Sequence, residues 1–544
     1  MQPDERLAVI DLGSNSFRLV VFTAADGWWK RTDEIYEPVR IGEGMAASGR
    51  LGERPMERAL ATLDVFAHFC RAAGLTQPSG PCAPPDQGSP RAPIGGAVDA
   101  VATSAIRDAE NAAEFLARAR ELTGLPIRVL SREEEARYGY LAAVNSTTLT
   151  DGCVLDLGGG SLQLVGVEDR LARESGSWRV GTVRMSERFL PPNGPAKRKQ
   201  LVELRDHVAR ELEQADWLPR TGRRLVGIGG TVRSLATAAQ RAAGLPSNGV
   251  QSMVIEREAL DELVERLAAL PAAERSAIPG VKPARADLIL AGAIVVQGVI
   301  EAGGFDGLEA TEAGLREGVF FERLLSRRWP ISDRQPLFED LRRTSVMNLA
   351  TRYNVDAAHT SHVAALALGM FDELGMLGLH DGDARERELL WAACMLHDIG
   401  MSVDYDDHHK HSRYLILNGG LPGFTPIEVA TIAQAARYHR KGMPDPGPLA
   451  ALFGVDDMAR LNRCAVLLRL AEDLERSRDQ LVRGVEVSLL DSKPGGGGEG
   501  GGQGAGEIEL RVIADGEAAV PRWAASRETE LFARAFHHDL SVAA

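Results

Sequence analysis

Residues 8–20 read Ala8-Val-Ile-Asp-Leu-Gly-Ser-Asn-Ser-Phe-Arg-Leu-Val, and residues 153–165 read Cys153-Val-Leu-Asp-Leu-Gly-Gly-Gly-Ser-Leu-Gln-Leu-Val. Asp11 falls on Asp156, Gly13 on Gly158, Ser16 on Ser161 and Leu19 on Leu164, at a constant offset of 145 residues. Each copy is an apolar strand, a Gly/Ser/Asn turn and a second alternating strand, which predicts a hairpin with an aspartate at its mouth. Glycine lets backbone N–H groups approach a phosphate, and successive N–H groups form an anion-binding nest. An aspartate at the end of the first strand can face a hydrated Mg²⁺. Two unrelated tight hairpins would need Gly and Asn only for φ > 0, but here strand, turn and strand match together. The repeat therefore predicts two related lobes facing each other across a phosphate-binding cleft. A third glycine motif, Leu225-Val-Gly-Ile-Gly-Gly-Thr-Val-Arg-Ser-Leu, runs from a strand into a helix.

The surrounding chain is consistent with globular domains. Its 544 residues are 44% hydrophobic and 25% charged, ordinary usage that predicts three or four domains and excludes disorder as the main state. A net charge of −14 repels polyanions at long range, so a nucleic-acid coat protein is not expected and any phosphate-rich substrate needs basic groups gathered locally. The opening residues are acidic and do not read as a signal peptide. The longest uncharged apolar stretch, Leu288 to Ile300, is about 13 residues, short of the roughly 18 that span a bilayer. Five scattered cysteines form no CxxC pair, so the expectation is a reduced, cytoplasmic, soluble protein without a membrane partner.

Two segments are low in complexity. Residues 76–97 are rich in Pro, Gly and Ser and read as a surface insertion between a helix, 56–73, and a strand, 97–103. Residues 493–506 are nearly all glycine and read as an overgrown loop between strands at 484–490 and 507–513. From Leu7 to about Arg328, β-rich and helical runs alternate, as in α/β layers. From Asp333 to about Arg483 helical spacing dominates. The expected domains are 1–128, 129–328, 333–483 and a small α+β segment, 484–544.

The two hairpins with a later Gly-Gly-Thr turn resemble the actin, heat-shock chaperone and sugar-kinase superfamily. Within it, Asp11-Leu-Gly-Ser-Asn-Ser-Phe, Ala102-Thr-Ser-Ala-Ile-Arg-Asp-Ala-Glu-Asn, Ser131-Arg-Glu-Glu-Glu-Ala-Arg, Asp156-Leu-Gly-Gly-Gly-Ser and Leu315-Arg-Glu-Gly-Val resemble, in order, the motifs of the exopolyphosphatase and guanosine pentaphosphate phosphohydrolase (Ppx/GppA) family. The resemblance implies two actin-like (ribonuclease H-like) lobes around a cleft, with Mg²⁺-assisted release of the terminal phosphate of polyphosphate or guanosine pentaphosphate. It places the catalytic glutamate at Glu135, while Ser131 and Glu134 fit a capping box. It implies Asp156 and Asp11 for Mg²⁺, Arg107 and Arg316 to grip phosphate, and Gly13, Ser14, Asn15, Ser16, Gly158, Gly159, Gly160, Ser161, Gly229, Gly230 and Thr231 to cradle it. The expected catalytic set is Glu135, Asp156, Arg107 and Arg316. One departure stands out. The family's second hairpin usually continues Ser-Thr-Glu, whereas Leu162 and Gln163 follow Ser161 here, which removes an expected carboxylate and puts full turnover in doubt.

The second half carries His362, His397-Asp398, His411, His439 and Asp473, whose order resembles the HD metal-phosphohydrolase superfamily. That resemblance implies an all-α HD-type domain holding Mn²⁺ or Fe. Arg413, Arg437, Arg440 and Lys441 could add a local positive track. His359, His408 and His409 lie beside these positions, so the choice among neighbours stays open. The leading expectation is an exopolyphosphatase, a homodimer by family resemblance, with guanosine pentaphosphate or tetraphosphate as further ligands and no nucleic-acid partner. The competing readings are an HD-type phosphodiesterase or nucleotide phosphohydrolase with a sensing front half, and a non-enzymatic polyphosphate-binding regulator.

Overall fold

The computed structural model describes residues 5–78, 96–246, 249–328, 335–490 and 506–543. Most of the Pro/Gly/Ser-rich insertion, the glycine-rich loop and the expected boundary at 329–333 lie outside the described residues. The chain divides into two compact units, residues 1–341 and 342–544.

Unit one is built on two six-stranded sheets. In the first, β1 (Glu5–Leu12), β2 (Phe17–Ala25) and β3 (Trp28–Glu37) form an antiparallel meander. Two later strands, β4 (Leu75–Pro78) and β6 (Ile127–Val129), pair in parallel with opposite halves of β5 (Gly96–Ala102), which itself runs parallel to β1. The second sheet repeats the plan with β7 (Gly152–Leu157), β8 (Leu162–Glu168) and β9 (Leu171–Trp178) as the meander and β10 (Leu225–Ile228) parallel to β7. Beyond β10 lie β11 (Met253–Glu256) and β12 (Gly307–Ala310). The repeat extends to register: Asp11 opposes Arg18 and Leu12 opposes Phe17, as Asp156 opposes Gln163 and Leu157 opposes Leu162.

The first strands are apolar on both faces because both faces are covered. Leu7 and Val9 join one core with Val154 and Val226 of the other sheet, while Ile10 and Leu12 pack in a separate core of the first sheet. The shared core is completed by the helices Arg132–Val144 and Leu315–Arg328. The former is buried from Glu135 to Val144 except at the exposed Arg137, so it shows no apolar stripe and its motif, not its periodicity, locates it. Its start is capped as expected: Ser131 Oγ accepts from Glu134 N–H at 3.1 Å and Glu134 Oε2 accepts from Ser131 N–H at 2.8 Å.

Unit two is helical from Leu341–Arg352 to Val455–Leu474, followed by β13 (Val482–Leu490), β14 (Glu507–Ala514) and β15 (Asp539–Ala543). The strands at 482–490 and 507–514 pair antiparallel with Leu490 opposite Glu507, so the glycine-rich segment connects paired strand ends. The C-terminal segment, expected as a separate piece, shares its core with the helices. Val485, Ile508, Leu510, Val512 and Phe532 are buried in one cluster with Val363, Leu396 and Leu467, because the alternating strands have one apolar face that needs cover.

The two central helices of unit one cross where Gly318 meets Tyr138. A Cβ on Gly318 would lie 1.9 Å from the Tyr138 carbonyl oxygen. Gly318→Ala must therefore separate these helices, and overpacking of this kind costs about 1–3 kcal/mol. The expected outcome is a lower urea midpoint for the transition of unit one; an unchanged midpoint would show that the crossing is looser than its geometry.

Candidate functional site

Both hairpin turns close in the same way. Gly13 N–H donates to the Ser16 carbonyl at 3.2 Å, and Gly158 N–H to the Ser161 carbonyl at 3.0 Å. The turns also touch each other: a Cβ on Gly159 would lie 3.0 Å from Ser14 Cβ, and one on Gly160 2.6 Å from Ser104 Oγ. After β10, Gly229 takes φ 98° and the helix Gly230–Ala242 begins, aiming free N–H groups at the same space. A cleft is lined by Gly13, Ser14, Asn15, Ser16, Gly158, Gly159, Gly229, Gly230 and Thr231 together with Asp11, Glu135, Asp156 and Arg316.

Three of those side chains are carboxylates close to one another, Glu135 buried and Asp11 and Asp156 half-buried. Burial, then Glu135 and Asp11, pushes Asp156 up to about 7. Burial likewise raises Glu135 against the pull of Arg107, and raises Asp11 against that of Arg316. Asp11 Oδ1 and Asn15 Nδ2 are buried without a hydrogen-bond partner. Mutually repelling carboxylates with an unpartnered oxygen fit a hard divalent cation. Facing them are guanidinium groups: Arg18, Arg233, Arg285 and Arg316 all line the cleft. Burial, with Arg316 and Arg18 nearby, lowers Arg233 to about 10. This is the local positive charge that the net charge of the chain hides.

Some expected site residues fall elsewhere. Gly160 and Ser161 lie outside the cleft lining, because Gly160 faces Ser104 and the Ser161 hydroxyl, 4% exposed at the residue, accepts from Gln163 Nε2 at 2.8 Å. Gln163 is buried beneath its own turn and is also absent from the lining. Arg107 does not line the cleft either; its Nη1 donates to Glu135 Oε2 at 2.7 Å and to the Leu130 carbonyl at 3.0 Å. Its guanidinium holds the glutamate. Arg18, Arg233 and Arg285 were missed. The first two sit inside the quoted motifs, where a basic residue beside a phosphate turn is itself a signal. Arg285 lies in no motif and reaches Gly230 only through the fold: a Cβ there would be 2.0 Å from its Nη2.

Unit two gathers a second constellation. His397 and Asp398 follow the helix Ala384–Leu396, His408 opens the helix His408–Gly419, and His439 follows Pro426–Arg437. Two groups can each supply three ligands, His359 with His397 and Asp398, and Asp398 with His408 and His439. The expected His362, His411 and Asp473 are not in these groups. A shift of three residues moves a helical side chain about 4.5 Å along the axis, and His362 instead meets the Val482 carbonyl at 2.9 Å and Glu475 at 3.4 Å. His411 stands one turn past His408. Asp473 is turned toward Arg476 at 3.3 Å, and its neighbour Glu472 lies 3.0 Å from His359 and 3.3 Å from His397. Burial opposes charge on His397, but Asp398 and Glu472 raise it to about 9. Burial and then His397 lower His439 to about 3. Of the expected basic track, Arg440 and Lys441 line the adjoining cavity, while Arg413 is taken by Gln434 at 2.7 Å.

The sequence pattern of the Ppx/GppA phosphatase family matches residues 95–327, and that of its domain III matches residues 341–494. The chain belongs to the Ppx/GppA phosphatase family. Among solved structures, an exopolyphosphatase from Cytophaga hutchinsonii is 21% identical over 59% of this chain and 98% of its own, with a TM-score of 0.52. A Ppx/GppA family member from Aquifex aeolicus is 28% identical over 60% of this chain and 100% of its own, with a TM-score of 0.49. The former shows a shared fold. Among the described residues, no helix is long and apolar enough to cross a membrane.

The raised Asp156 pKa makes a prediction about the phosphatase cleft. The folded state holds this proton up to about pH 7, whereas an unfolded aspartate releases it near pH 4. The stability it contributes is therefore complete below about pH 4 and lost as pH rises through about 7. Without divalent cations, Asp156→Asn should flatten the fall in melting temperature across that window and melt higher than the parent at pH 7.5. Added Mg²⁺ should raise the melting temperature of the parent more than that of the variant. Equal Mg²⁺ responses would remove Asp156 from the cation site.

Proposed function

We propose that this phosphatase releases the terminal phosphate of inorganic polyphosphate, with guanosine pentaphosphate as a second substrate. The observation that carries the reading is the meeting in one cleft of a buried glutamate held by a guanidinium, two further carboxylates, two phosphate-type turns and a helix N-terminus. The N–H groups of the turns and Arg316 bind phosphate oxygens, with Arg18, Arg233 and Arg285 extending the positive wall for the rest of an anionic chain. Asp11 and Asp156 would hold Mg²⁺, which supplies positive charge to those oxygens when bound. Arg107 fixes Glu135 Oε2, leaving Oε1 to accept a proton from water. The water oxygen bonds to the terminal phosphorus, the P–O bond to the bridging oxygen breaks, and its electron pair stays on the shortened chain.

Glu135→Gln should cut phosphate release from polyphosphate by about 10²–10⁴ while polyphosphate binding is retained; turnover within threefold of the parent would remove Glu135 from the role of base. Arg107→Gln tests the pairing. The guanidinium pulls the Glu135 pKa down against burial, so its loss should move the acid limb of the pH–rate profile to higher pH. An acid limb that stays in place, with only KM raised, would instead make Arg107 a phosphate ligand.

A further inference from the structure

Ser14 and Ser104 place two hydroxyls against each other inside the phosphatase cleft. Their Oγ atoms are 3.1 Å apart, and both residues line the cleft while being buried. Ser104 follows β5 and opens the short helix Ser104–Asp108, which carries Arg107 one turn later. Gly160 of the second turn packs beneath the pair: a Cβ there would fall 2.6 Å from Ser104 Oγ and 3.2 Å from Ser14 Oγ. The two hydroxyls therefore stand where both phosphate-type turns meet the segment that holds Glu135 through Arg107.

Two hydroxyls carry two protons, and the bond between them uses one. Among the described residues neither Oγ has another hydrogen-bond partner, so the second proton has no acceptor on the protein. Asn15 Nδ2, on the next residue of the first turn, is also a buried donor without a partner. The nearest carboxylate of the same strand does not answer either need, because Asp11 Oδ1 is itself unpartnered. Neighbouring donors left over in this way call for a group made of acceptors, and a phosphoryl group presents oxygens that only accept. We infer that Ser104 is a positioning residue for phosphate release: its hydroxyl, held against Gly160, donates to Ser14 Oγ and directs the Ser14 proton to a phosphoryl oxygen beside Asn15 Nδ2. The inference rests on the phosphatase reading of the cleft. A hydroxyl that accepts one hydrogen bond is a stronger donor in the next, so Ser104 acts on the phosphoryl group without touching it.

The test compares Ser104→Ala and Ser104→Cys with the parent in the full chain. Inorganic phosphate binding with Mg²⁺ is read by calorimetry, and kcat/KM is read on polyphosphate. Cysteine fills the space of serine with only a weak donor, so both variants should weaken phosphate binding and lower kcat/KM by about tenfold. Parent values restored by Ser104→Cys would make the contact one of packing and overturn the relay. A double-mutant cycle supplies the second measurement. With Ser14→Ala already present, Ser104→Ala should cost less than about twofold more, because the two hydroxyls act as one unit. An undiminished cost in that background would overturn the route through Ser14. Phosphate binding that depends on Ser104 in a protein releasing no phosphate from polyphosphate would remove the substrate reading and leave the relay standing. Release that proceeds equally well in Ser104→Ala would remove the relay alone.

Discussion

Gly159 lies against Ser14 because it has no side chain to hold the two turns apart. Gly181 makes the same kind of approach behind them, where a Cβ would fall 2.3 Å from the Gly160 carbonyl carbon. These contacts between hairpins 145 residues apart bring the mouths of both sheets into one cleft. Had either turn carried a branched residue, the N–H groups would point into separate spaces and no single phosphate chain could touch both. The shared core of Val9, Val154, Leu141 and Phe320 holds the sheets in the same relation from below.

That geometry concentrates charge. Asp11, Glu135 and Asp156 are brought close enough to raise one another's affinity for protons, and four guanidinium groups are brought to the same walls. Buried charge of either sign is costly alone; here each set moderates the other, and the clustered carboxylates with the unpartnered Asp11 Oδ1 fit a divalent cation. Binding a polyanion adds negative charge to the guanidinium side and a cation adds positive charge to the carboxylate side. The proposed polyphosphate chain and divalent cation would therefore each meet charge of the opposite sign in the cleft, although the chain as a whole is acidic.

Unit two shows how expected site residues can be out of phase with the side chains that gather. His397-Asp398 and His439 stand where their spacing suggested, at helix ends where the chain direction is constrained. His362, His411 and Asp473 did not, because each has a neighbour of similar chemistry on another face or turn. His359 rather than His362 points inward since the Val482 carbonyl and Glu475 occupy the latter. Only the packing of the helix Ala357–Met376 against Val455–Leu474 selects between them.

The paired hairpins, their register, the strand–helix turn at Gly229 and the capped entry to Glu135 were legible in the sequence, because each rests on local chemistry: alternation, glycine at turns, a Ser and a Glu three residues apart. Family motifs then located Glu135 and Arg316. The sequence did not reveal that Arg107 grips Glu135, that Gln163 turns under its own hairpin, or that Arg285 reaches Gly230. Nor did it show that the last strands complete the helical core. Those features depend on which faces meet after distant segments pack, and a side chain one or three positions along a helix lies on a different wall. Local spacing specifies elements and their ends; burial against a partner decides which of two adjacent polar groups enters a site.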